Sequence, residues 1–344
     1  MRREKMRVMV TGGAGYIGSV LARELLASDH SVICLDRLFF GEEPIIDLIP
    51  NRNFKLIRDD IRCFDPNILK GIDAVIDLAA LSNDPSGEID PLKTFDINYI
   101  GRSRVARLSK EFGVKRYILA SSCSLYGFQD QILDETSRIN PLTTYAKASR
   151  KAEEDVLPLA SEKFTVTVLR FATVYGYSKR MRFDLALNAM VLSLYKQLPI
   201  KVMRDGTQWR PFLHIKDVSE AYKLVLAQPS DAINGEIYNV GSDDQNFQIL
   251  PLAKTVSLSL KVDTRIEWYG SPDFRSYQIS FKKFRDLADF RPAYTPNDGA
   301  LEIHDALTRG ETREDIKTLT VDWYKYLINS YDLVKQVSIK DTIL

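Results

Sequence analysis

The clearest hydrophobic pattern in the sequence is an apolar run at residues 8–10, which enters a glycine-rich turn. Apolar positions at helical spacing follow from Ile17 to Leu26. A short continuous apolar run is typical of a buried strand, and i, i+3, i+4 spacing is typical of an amphipathic helix. A second apolar run at residues 31–35 then ends at Asp36. The start of the chain therefore predicts a strand, a tight turn, a helix and a second strand.

Three glycines in that turn, Gly12, Gly15 and Gly18, have the spacing of a dinucleotide-binding loop. They would allow the turn, the approach of a pyrophosphate and close helix packing, while the helix N-terminus offers N–H groups and its positive dipole end. Asp36 stands where a carboxylate can accept both ribose hydroxyls, which favours NAD. Arg37 argues for NADP, because an arginine beside the ribose can accommodate a 2′-phosphate. A glycine-rich turn in an ordinary βαβ unit is the alternative.

Strand and helix patterns alternate through the first half of the chain. Further strands are predicted at 53–58, 74–80, 115–121 and 164–171, and long amphipathic helices at 91–112 and 144–160. The nearly all-apolar run at 74–80 is typical of a strand that is buried on both faces. This alternation predicts an α/β fold, a Rossmann-type doubly wound parallel sheet that binds ligands over the carboxyl ends of its strands.

After about residue 174 the alternation becomes less regular. Helices are predicted at 183–197, 215–227, 296–307 and 318–331, with a polar and aromatic segment at 208–214 and a strand at 235–240. No Gly/Ser-rich or Pro-rich linker separates the two halves. We therefore predict a Rossmann domain for NAD at residues 1–174. Residues 175–344 would form mainly a smaller α/β substrate-binding lobe, from which 235–241 return to the main sheet.

Composition and charge exclude several classes of protein. The 344 residues are 45% hydrophobic and 27% charged, as in a globular protein, and a formal charge of +1 provides no general attraction to nucleic acid or an anionic membrane. No apolar run is long enough to cross a membrane, and the basic residues 1–5 lead into the first strand. Cys34, Cys63 and Cys123 are far apart and do not cluster with histidine. Reduced thiols, a cytoplasmic location and no metal site are therefore expected.

Several short motifs follow one another in a characteristic order along nearly the whole chain. They are Gly12-Gly15-Gly18, Asp36, Asp60-Ile61, Leu78-Ala79-Ala80, Asn98, the segment from Ser121 to Gly127, the segment from Pro141 to Tyr145, the segment from Arg170 to Gly176, and the segment from Arg210 to His214. In this order they resemble the extended short-chain dehydrogenase/reductase family, and within it the nucleotide-sugar epimerases and dehydratases that are similar to UDP-glucose 4-epimerase.

The resemblance implies an NAD cofactor, a nucleotide-diphosphate sugar as substrate, and a role for each matched residue. The implied cofactor-binding residues are Gly12, Gly15, Tyr16, Ile17, Gly18, Asp36, Arg37, Asp60, Ile61, Leu78, Ala79, Ala80, Asn98 and Tyr145. The implied substrate-binding residues are Ser122, Cys123, Ser124, Thr173, Asn188, Arg210 and Arg275. Ser122 would hydrogen-bond the sugar hydroxyl that is oxidised, and Tyr145 would take its proton.

Some of these residues also have simpler structural interpretations. Ser122 could cap the fifth strand, and Arg210 could form a salt bridge with Asp217. Arg182 and Lys179 are predicted to belong to a solvated basic face.

One position departs from the family's catalytic pattern, which has a lysine four residues after the tyrosine. Here Ser149 occupies that position, while Lys147 and Lys151 project elsewhere on the same helix. The lysine would hold the nicotinamide ribose and favour tyrosinate, since a free tyrosine is ionised to only about one part in a thousand at neutral pH. As a catalytic residue, Ser149 replaces the hydrogen bond but not the charge.

Three interpretations of this departure stay open: an active enzyme with another cation near Tyr145, a slow or oxidised-cofactor-dependent variant, and a protein that only binds. We favour the first, because the diphosphate-binding segments are otherwise intact.

The resemblance also bears on the reaction. The 4,6-dehydratases of the family need an acidic pair where this sequence has Cys123 and Ser124, so elimination is disfavoured. The leading hypothesis is C4 epimerisation through a 4-keto intermediate, with NAD retained as a store of hydride. The alternatives are a dehydratase, a dehydrogenase or ketoreductase, and a non-catalytic NAD or sugar-nucleotide binder. Family members commonly form homodimers through the helices that correspond to 91–112 and 144–160, so a homodimer is expected.

Overall fold

The structure is a computed structural model that describes residues 5–273, 275–338 and 342. Its strands are β1 (Arg7–Thr11), β2 (Ser31–Asp36), β3 (Phe54–Arg58), β4 (Ala74–Asp77), β5 (Arg116–Ser122), β6 (Phe128–Leu133), β7 (Thr165–Phe171), β8 (Thr173–Tyr175), β9 (Ile200–Met203), β10 (Trp209–His214), β11 (Glu236–Val240), β12 (Asn246–Gln248), β13 (Ile266–Tyr269) and β14 (Ser276–Ile279).

The helices vary from single turns to 18 residues. They are α1 (Tyr16–Ala27), α2 (Asp84–Gly87), α3 (Pro91–Phe95), α4 (Arg102–Glu111), α5 (Thr144–Val156), α6 (Ala186–Tyr195), α7 (Ile215–Ala227), α8 (Ser230–Ile233), α9 (Ile249–Ser259), α10 (Lys282–Ala288), α11 (Pro296–Thr308) and α12 (Thr320–Val337). Within the described ranges, none combines the length and apolar content that a bilayer crossing requires.

A seven-stranded parallel sheet in the order β11-β7-β5-β4-β1-β2-β3 forms the centre of the structure. Because side chains alternate across a strand, Val8 and Val10 pack towards α1 and α7, whereas Met9 packs towards α4 and α5. The strand order reverses between β1 and β4, and such a switch point opens a crevice at the carboxyl ends of the strands. The predicted Rossmann-type doubly wound α/β fold is confirmed.

Several element boundaries differ from the predictions. The strand predicted at 74–80 ends at Asp77, since the chain leaves the sheet there to line the crevice. The long helix predicted at 91–112 is divided into α3 and α4 by a wider π-type turn at Asp96–Gly101. The segment predicted as polar and aromatic at 208–214 contains β10, which pairs with β8 and β12. Strands β6, β9 and β13 were not predicted, because none of them has a buried apolar run.

The second half of the chain builds a smaller lobe around its own apolar core. Helices α6, α9 and α11 enclose this core together with β9 and β10. Tyr16 at the start of α1 belongs to the same core, and β11 returns to the edge of the main sheet beside β7. The lobe therefore packs directly on the Rossmann sheet, while a domain boundary at residue 174 stays a prediction.

The three cysteines have different surroundings, and none forms a disulfide. Cys34 and Cys123 are buried, which raises the pKa of both thiols. Cys63 is exposed on the short turn after β3. It is therefore the accessible thiol of the three.

A buried ion pair joins α5 to the sheet. Glu153 is fully buried, and its carboxylate accepts hydrogen bonds from Nε of Arg170 at 2.9 Å and from Nη2 at 2.7 Å. The Ser121 hydroxyl donates to the same carboxylate at 2.6 Å. This pair fixes the last turn of α5 against β5 and β7.

We expect Glu153→Ala to lower the free energy of unfolding by about 3–5 kcal/mol, because it leaves a buried guanidinium without its counterion. Urea unfolding at pH 7 measures the change. Glu154→Ala is the matched control: Glu154 is a half-exposed neighbour that pairs with Arg150 and Lys151, and its loss should cost less than about 1 kcal/mol. Equal losses of unfolding free energy for the two variants would contradict the role of Glu153 as the buried counterion of Arg170.

Candidate active site

A cleft opens at the carboxyl ends of the sheet, between the sheet and the smaller lobe. Its volume of about 430 Å³ is within the range of small-molecule sites. Most residues predicted from the sequence line it: Gly12, Gly15, Tyr16, Ile17, Gly18, Asp36, Arg37, Asp60, Ile61, Leu78, Ala79, Ala80, Ser122, Ser124, Tyr145, Thr173, Arg210 and Arg275. No three His, Cys, Asp or Glu side chains form a potential metal site in the described part of the chain.

The glycine turn forms the floor of one end of the cleft. Gly12 has φ +67°, and a Cβ there would lie 3.0 Å from the Ala79 backbone. A Cβ on Gly18 would lie 2.3 Å from the carbonyl oxygen of Gly12. The N-cap of α1 is Gly15, so no side chain caps its first N–H groups. The turn and helix therefore offer backbone donors at close range, which fits a dinucleotide pyrophosphate.

Asp36 lies at the end of β2 and accepts the N–H groups of Ala14 at 3.0 Å and Leu38 at 2.7 Å. Burial raises the pKa of this carboxyl. Arg37 forms an ion pair with Asp60 at 2.9 Å, so its charge is already compensated. The position of Asp36 on the cleft wall fits a ribose, and the paired Arg37 weakens the argument for a 2′-phosphate.

The opposite wall is held in place by two buried polar side chains. The Thr11 hydroxyl accepts the N–H groups of Leu78 and Ala79, both at 3.1 Å. The Asn98 side chain, itself fully buried, bonds to the N–H of Leu81 at 2.8 Å and to its carbonyl at 3.0 Å. Asn98 therefore supports the wall from behind, whereas the sequence placed it in contact with the cofactor.

Ser122 and Tyr145 both line the middle of the cleft, close enough for Ser122 to lower the pKa of the Tyr145 phenol. Ser122 also accepts the N–H of Ser124 at 3.1 Å, so it caps the turn after β5 as well. Burial raises the pKa of Tyr145, Arg102 lowers it, and Asp84 raises it. The pair is placed to bind a hydroxyl and take its proton.

Two arginines from the smaller lobe form the far end of the cleft. Arg210 pairs with Asp273 at 3.0 Å, and Arg275 pairs with Asp273 at 2.8 Å and with Asp84 at 2.5 Å. The salt bridge between Arg210 and Asp217 that the sequence left open is not formed. The Asp217 carboxylate instead accepts main-chain N–H groups after α10. The two guanidinium groups are suited to a diphosphate.

Besides Asn98, three predicted site residues do not line the cleft. Cys123 is buried and donates to the Arg170 carbonyl at 3.3 Å. Asn188 is fully buried and bonds to the Gly176 N–H at 3.1 Å and the Tyr16 hydroxyl at 3.1 Å. Ser149 is buried beneath Tyr145 on the same face of α5, with no hydrogen-bond partner for its hydroxyl among the described residues. The expected substrate contacts of Cys123 and Asn188 are thereby corrected, and Ser149 stands behind the site.

Arg102, Arg180 and Arg182 also line the cleft, although no sequence pattern predicted them there. Arg182, predicted on a solvated face, is buried; it pairs with Asp184 at 2.5 Å and donates to the Ser82 hydroxyl at 2.9 Å. Arg180 stacks over the Phe40 ring at 3.6 Å, and burial lowers its pKa to about 10. Asp184, two residues after Arg182, was the one available signal of a buried pair. Lys179 does face solvent, as predicted.

The C-terminal helix closes the Asp36 end of the cleft, which the sequence did not indicate. Trp323 donates its indole N–H to the Phe39 carbonyl at 2.6 Å. Tyr324 packs on the rings of Phe39 and Phe40 and lines the cleft. The loop after β2 and α12 therefore form one aromatic cover.

Known proteins with a similar sequence or fold include several that act on nucleotide sugars. The chain is 28% identical over 313 residues to "Uncharacterized UDP-glucose epimerase YtcB" of Bacillus subtilis, covering 86% of this chain and 95% of the relative. It is 28% identical over 334 residues to UDP-glucuronic acid decarboxylase 4 of Arabidopsis thaliana, covering 92% and 73%. Its fold is similar to that of UDP-glucuronic acid 4-epimerase from Bacillus cereus, solved with NAD: TM-score 0.79, 25% identity, 89% of this chain and 100% of that one.

Residues 8–241 match the NAD dependent epimerase/dehydratase family. The matched segment includes the glycine turn, Asp36, Ser122 and Tyr145, and it spans well over half of the chain. The chain therefore belongs to the NAD-dependent epimerase/dehydratase family.

Proposed function

We propose that this protein epimerises a nucleotide-diphosphate sugar at C4 through a 4-keto intermediate. The observation that carries the proposal is that Ser122 and Tyr145 line one cleft, with a glycine turn at one end and Arg210 and Arg275 at the other. Relatives described as UDP-sugar 4-epimerases support the same reaction.

The residues of the cleft divide between cofactor and substrate. The glycine turn and the N-terminus of α1 would hold the pyrophosphate of NAD, and Asp36 would hold a ribose. When bound, NAD supplies the acceptor and later the donor of a hydride. Ser122 orients the sugar hydroxyl, and the Tyr145 phenolate oxygen takes its proton and returns it to the reduced product. Thr173, Arg210 and Arg275 would hold the nucleotide diphosphate.

The cleft is poorly equipped for elimination. Cys123 and Ser124 replace the acidic pair of a dehydratase, and the Cys123 thiol is buried behind the wall with a raised pKa. The carboxylates of Asp84 and Asp184 do line the cleft, but each pairs with an arginine. A carboxylate held in this way does not readily serve as the acid or base that elimination needs.

The reaction can be identified by incubating purified protein with UDP-, GDP-, CDP- and dTDP-hexoses while following nicotinamide absorbance and product NMR. We expect a mixture of C4 epimers with no net reduction of NAD. A 4-keto-6-deoxy product would instead identify a dehydratase, and stoichiometric NADH a dehydrogenase. Binding by calorimetry without any turnover would show a binding protein and overturn the proposal.

Tyr145→Phe should lower kcat by about 10²–10⁴-fold, because the variant loses the proton acceptor and keeps the ring. Binding of NAD by calorimetry should stay within a few-fold of wild type. Tyr238→Phe is the matched control, since Tyr238 is a buried tyrosine on β11 whose hydroxyl donates to the Ala232 carbonyl at 3.0 Å, away from the cleft. An active Tyr145→Phe enzyme would remove the phenol from the mechanism.

Gly12→Ala should abolish NAD binding, since the added methyl group would meet the Ala79 backbone at 3.0 Å and the residue has φ +67°. Gly310→Ala is the matched control: Gly310 has φ +70°, and nothing lies within 4 Å of the position that a Cβ would take there. The control should lose about 1–2 kcal/mol of stability from backbone strain and keep its affinity for NAD. Calorimetry and thermal melts separate the two effects, and equal affinities would contradict a dinucleotide turn at Gly12.

We also propose that the protein is a cytoplasmic homodimer. The surface of α4 and the π-type turn before it exposes Ile100, and Leu92 on α3 is 82% exposed. A groove lined by Tyr99, Ile100, Leu108 and Asp155 lies between α4 and α5. This face combines exposed apolar side chains with the Arg107–Asp155 ion pair, and such a mixed surface is suited to a symmetric partner. The unpaired cysteines support a reducing compartment.

Light scattering should give a dimer mass for wild type and a monomer mass for Ile100→Asp, because the carboxylate would be buried in the interface. Leu258→Asp, which changes a 76% exposed residue on α9, should stay dimeric. A monomeric wild-type protein at working concentration would refute the homodimer.

A further inference from the structure

We propose that Arg102 supplies, from the start of α4, the positive charge that the family's lysine would supply at the position of Ser149. The inference deepens the proposed function and rests on it, because it assigns the cation that makes Tyr145 a usable base. Arg102 acts through Tyr145, so it is a positioning residue.

Helix α5 offers no cation to the cleft on the face that carries Tyr145. Tyr145, Ser149 and Glu153 follow one another at i, i+4 spacing on that face. Ser149 is neutral, and Glu153 is negative and already paired with Arg170. Lys147 is exposed, and Lys151 bonds to Glu154 on the outer face. The positive charge must therefore come from another element.

Arg102, at the start of the neighbouring helix α4, is a cation that reaches the part of the cleft where Tyr145 lies. Its side chain is only 2% exposed, and it still lines the cleft. Its Nη2 donates to the main-chain carbonyls of Asp77 at 2.8 Å and Ala120 at 2.5 Å, at the ends of β4 and β5. These are the strand ends from which the Ala79 wall and Ser122 extend. The guanidinium is therefore fixed between the cofactor wall and the catalytic serine.

The local backbone explains how a helix residue reaches this position. The π-type turn at Asp96–Gly101 directly precedes Arg102 and packs against α5. On its other side the turn approaches the segment after β3, where a Cβ on Gly101 would lie 3.0 Å from the Ile61 side chain. π-type turns often occur at functional sites, since they redirect one side chain relative to the rest of a helix. Here the residue that follows the turn is Arg102, whose side chain lines the cleft.

Among the described residues, two buried polar atoms at the proposed site lack a hydrogen-bond partner, Nε of Arg102 and the hydroxyl oxygen of Ser149. The nearest carboxylate to that Nε is Asp77, at 3.6 Å. Asp77 itself accepts from Thr11 and Tyr117 at 2.5 Å each, so its charge is shared among three groups. Asp77 is thus the counterion of Arg102, but at 3.6 Å the two groups do not form a close ion pair.

The charge acts on the Tyr145 phenol from several directions. The charged and titratable groups that face Tyr145 or adjoin it are Arg102, Asp84, Glu88, Arg182 and Tyr222. Arg102 opposes the rise in the Tyr145 pKa that burial causes, and Asp84 adds to that rise. Because arginine stays protonated, Arg102 takes no proton: the sugar O–H proton moves to the Tyr145 oxygen and back. Arg102 stabilises the phenolate during that transfer.

The test measures kcat against pH for Arg102→Gln, Ser149→Lys and the double variant. Tyr145 must be ionised to accept the proton, so kcat rises with pH up to the pKa of the phenol. Loss of Arg102 should move that ascending limb up by one pH unit or more, with about a tenfold loss at pH 7 for each unit. In the double variant, Ser149→Lys should move the limb back, since a lysine four residues after Tyr145 restores the cation. Arg102→Lys should retain most of the wild-type limb and guards against misfolding of Arg102→Gln.

Arg104→Gln is the matched control. Arg104 lies on the same helix and also donates to two main-chain carbonyls, those of Ile61 and Phe64, but it lies outside the cleft. The ascending limb of kcat against pH for Arg104→Gln should stay at the wild-type pH. If Arg102→Gln lowers kcat without moving the limb, or if Ser149→Lys fails to rescue it, Arg102 is only structural and the proposal is wrong.

A second readout separates this inference from the proposed reaction. Ultraviolet difference titration of wild type against Tyr145→Phe follows ionisation of the phenol in protein saturated with NAD, and it needs no turnover. Loss of Arg102 should raise that titration midpoint even if no sugar nucleotide is epimerised. An unchanged midpoint would overturn the role of Arg102, whereas absent turnover with a shifted midpoint would overturn the reaction alone.

Discussion

The fold and the cleft both depend on the buried carboxylate of Asp77 at the point where the strand order reverses. It accepts the hydroxyls of Thr11 at the end of β1 and Tyr117 near the start of β5, both at 2.5 Å, and so ties β4 to its two neighbouring strands. Thr11 in turn holds the chain that leaves β4 as the cofactor wall. Arg102 is anchored at the same point by the Asp77 carbonyl. Asp77 thus contributes to three features: the junction of β4 with β1 and β5, the wall that Thr11 supports, and the position of Arg102.

The second constraint is that the two halves of the chain share an apolar core. Tyr16 starts the helix that carries the glycine turn, yet it packs in the core of the smaller lobe. Its hydroxyl donates to the Gly176 carbonyl at 2.7 Å and accepts from Asn188 at 3.1 Å. A shift of the lobe would therefore strain the phosphate end of the cleft. The distance between the two ends, which decides whether a sugar carbon meets a nicotinamide, is set by this packing rather than by a flexible linker.

Sequence patterns predicted the features that a few neighbouring residues determine. The glycine turn, the parallel strands and the helix that begins near Tyr145 depend on local periodicity and on residues that tolerate unusual backbone angles. Features that depend on contacts across the fold could not be predicted from local sequence patterns. Arg182 and Lys179 have the same local composition around them, and only the distant Ser82 and the nearby Asp184 decide that Arg182 is buried. The same holds for Arg102, whose partners lie on two other strands.

The contrast among the cysteines has a practical consequence. Since Cys34 and Cys123 are buried with raised thiol pKa values, a maleimide dye at neutral pH should react at Cys63 without any engineered cysteine. That residue follows the Asp60-Ile61 wall by two positions and sits on the exposed side of its turn. A fluorophore there would therefore report changes at the Asp60 end of the crevice, and occupancy could be followed by emission in the unmodified sequence.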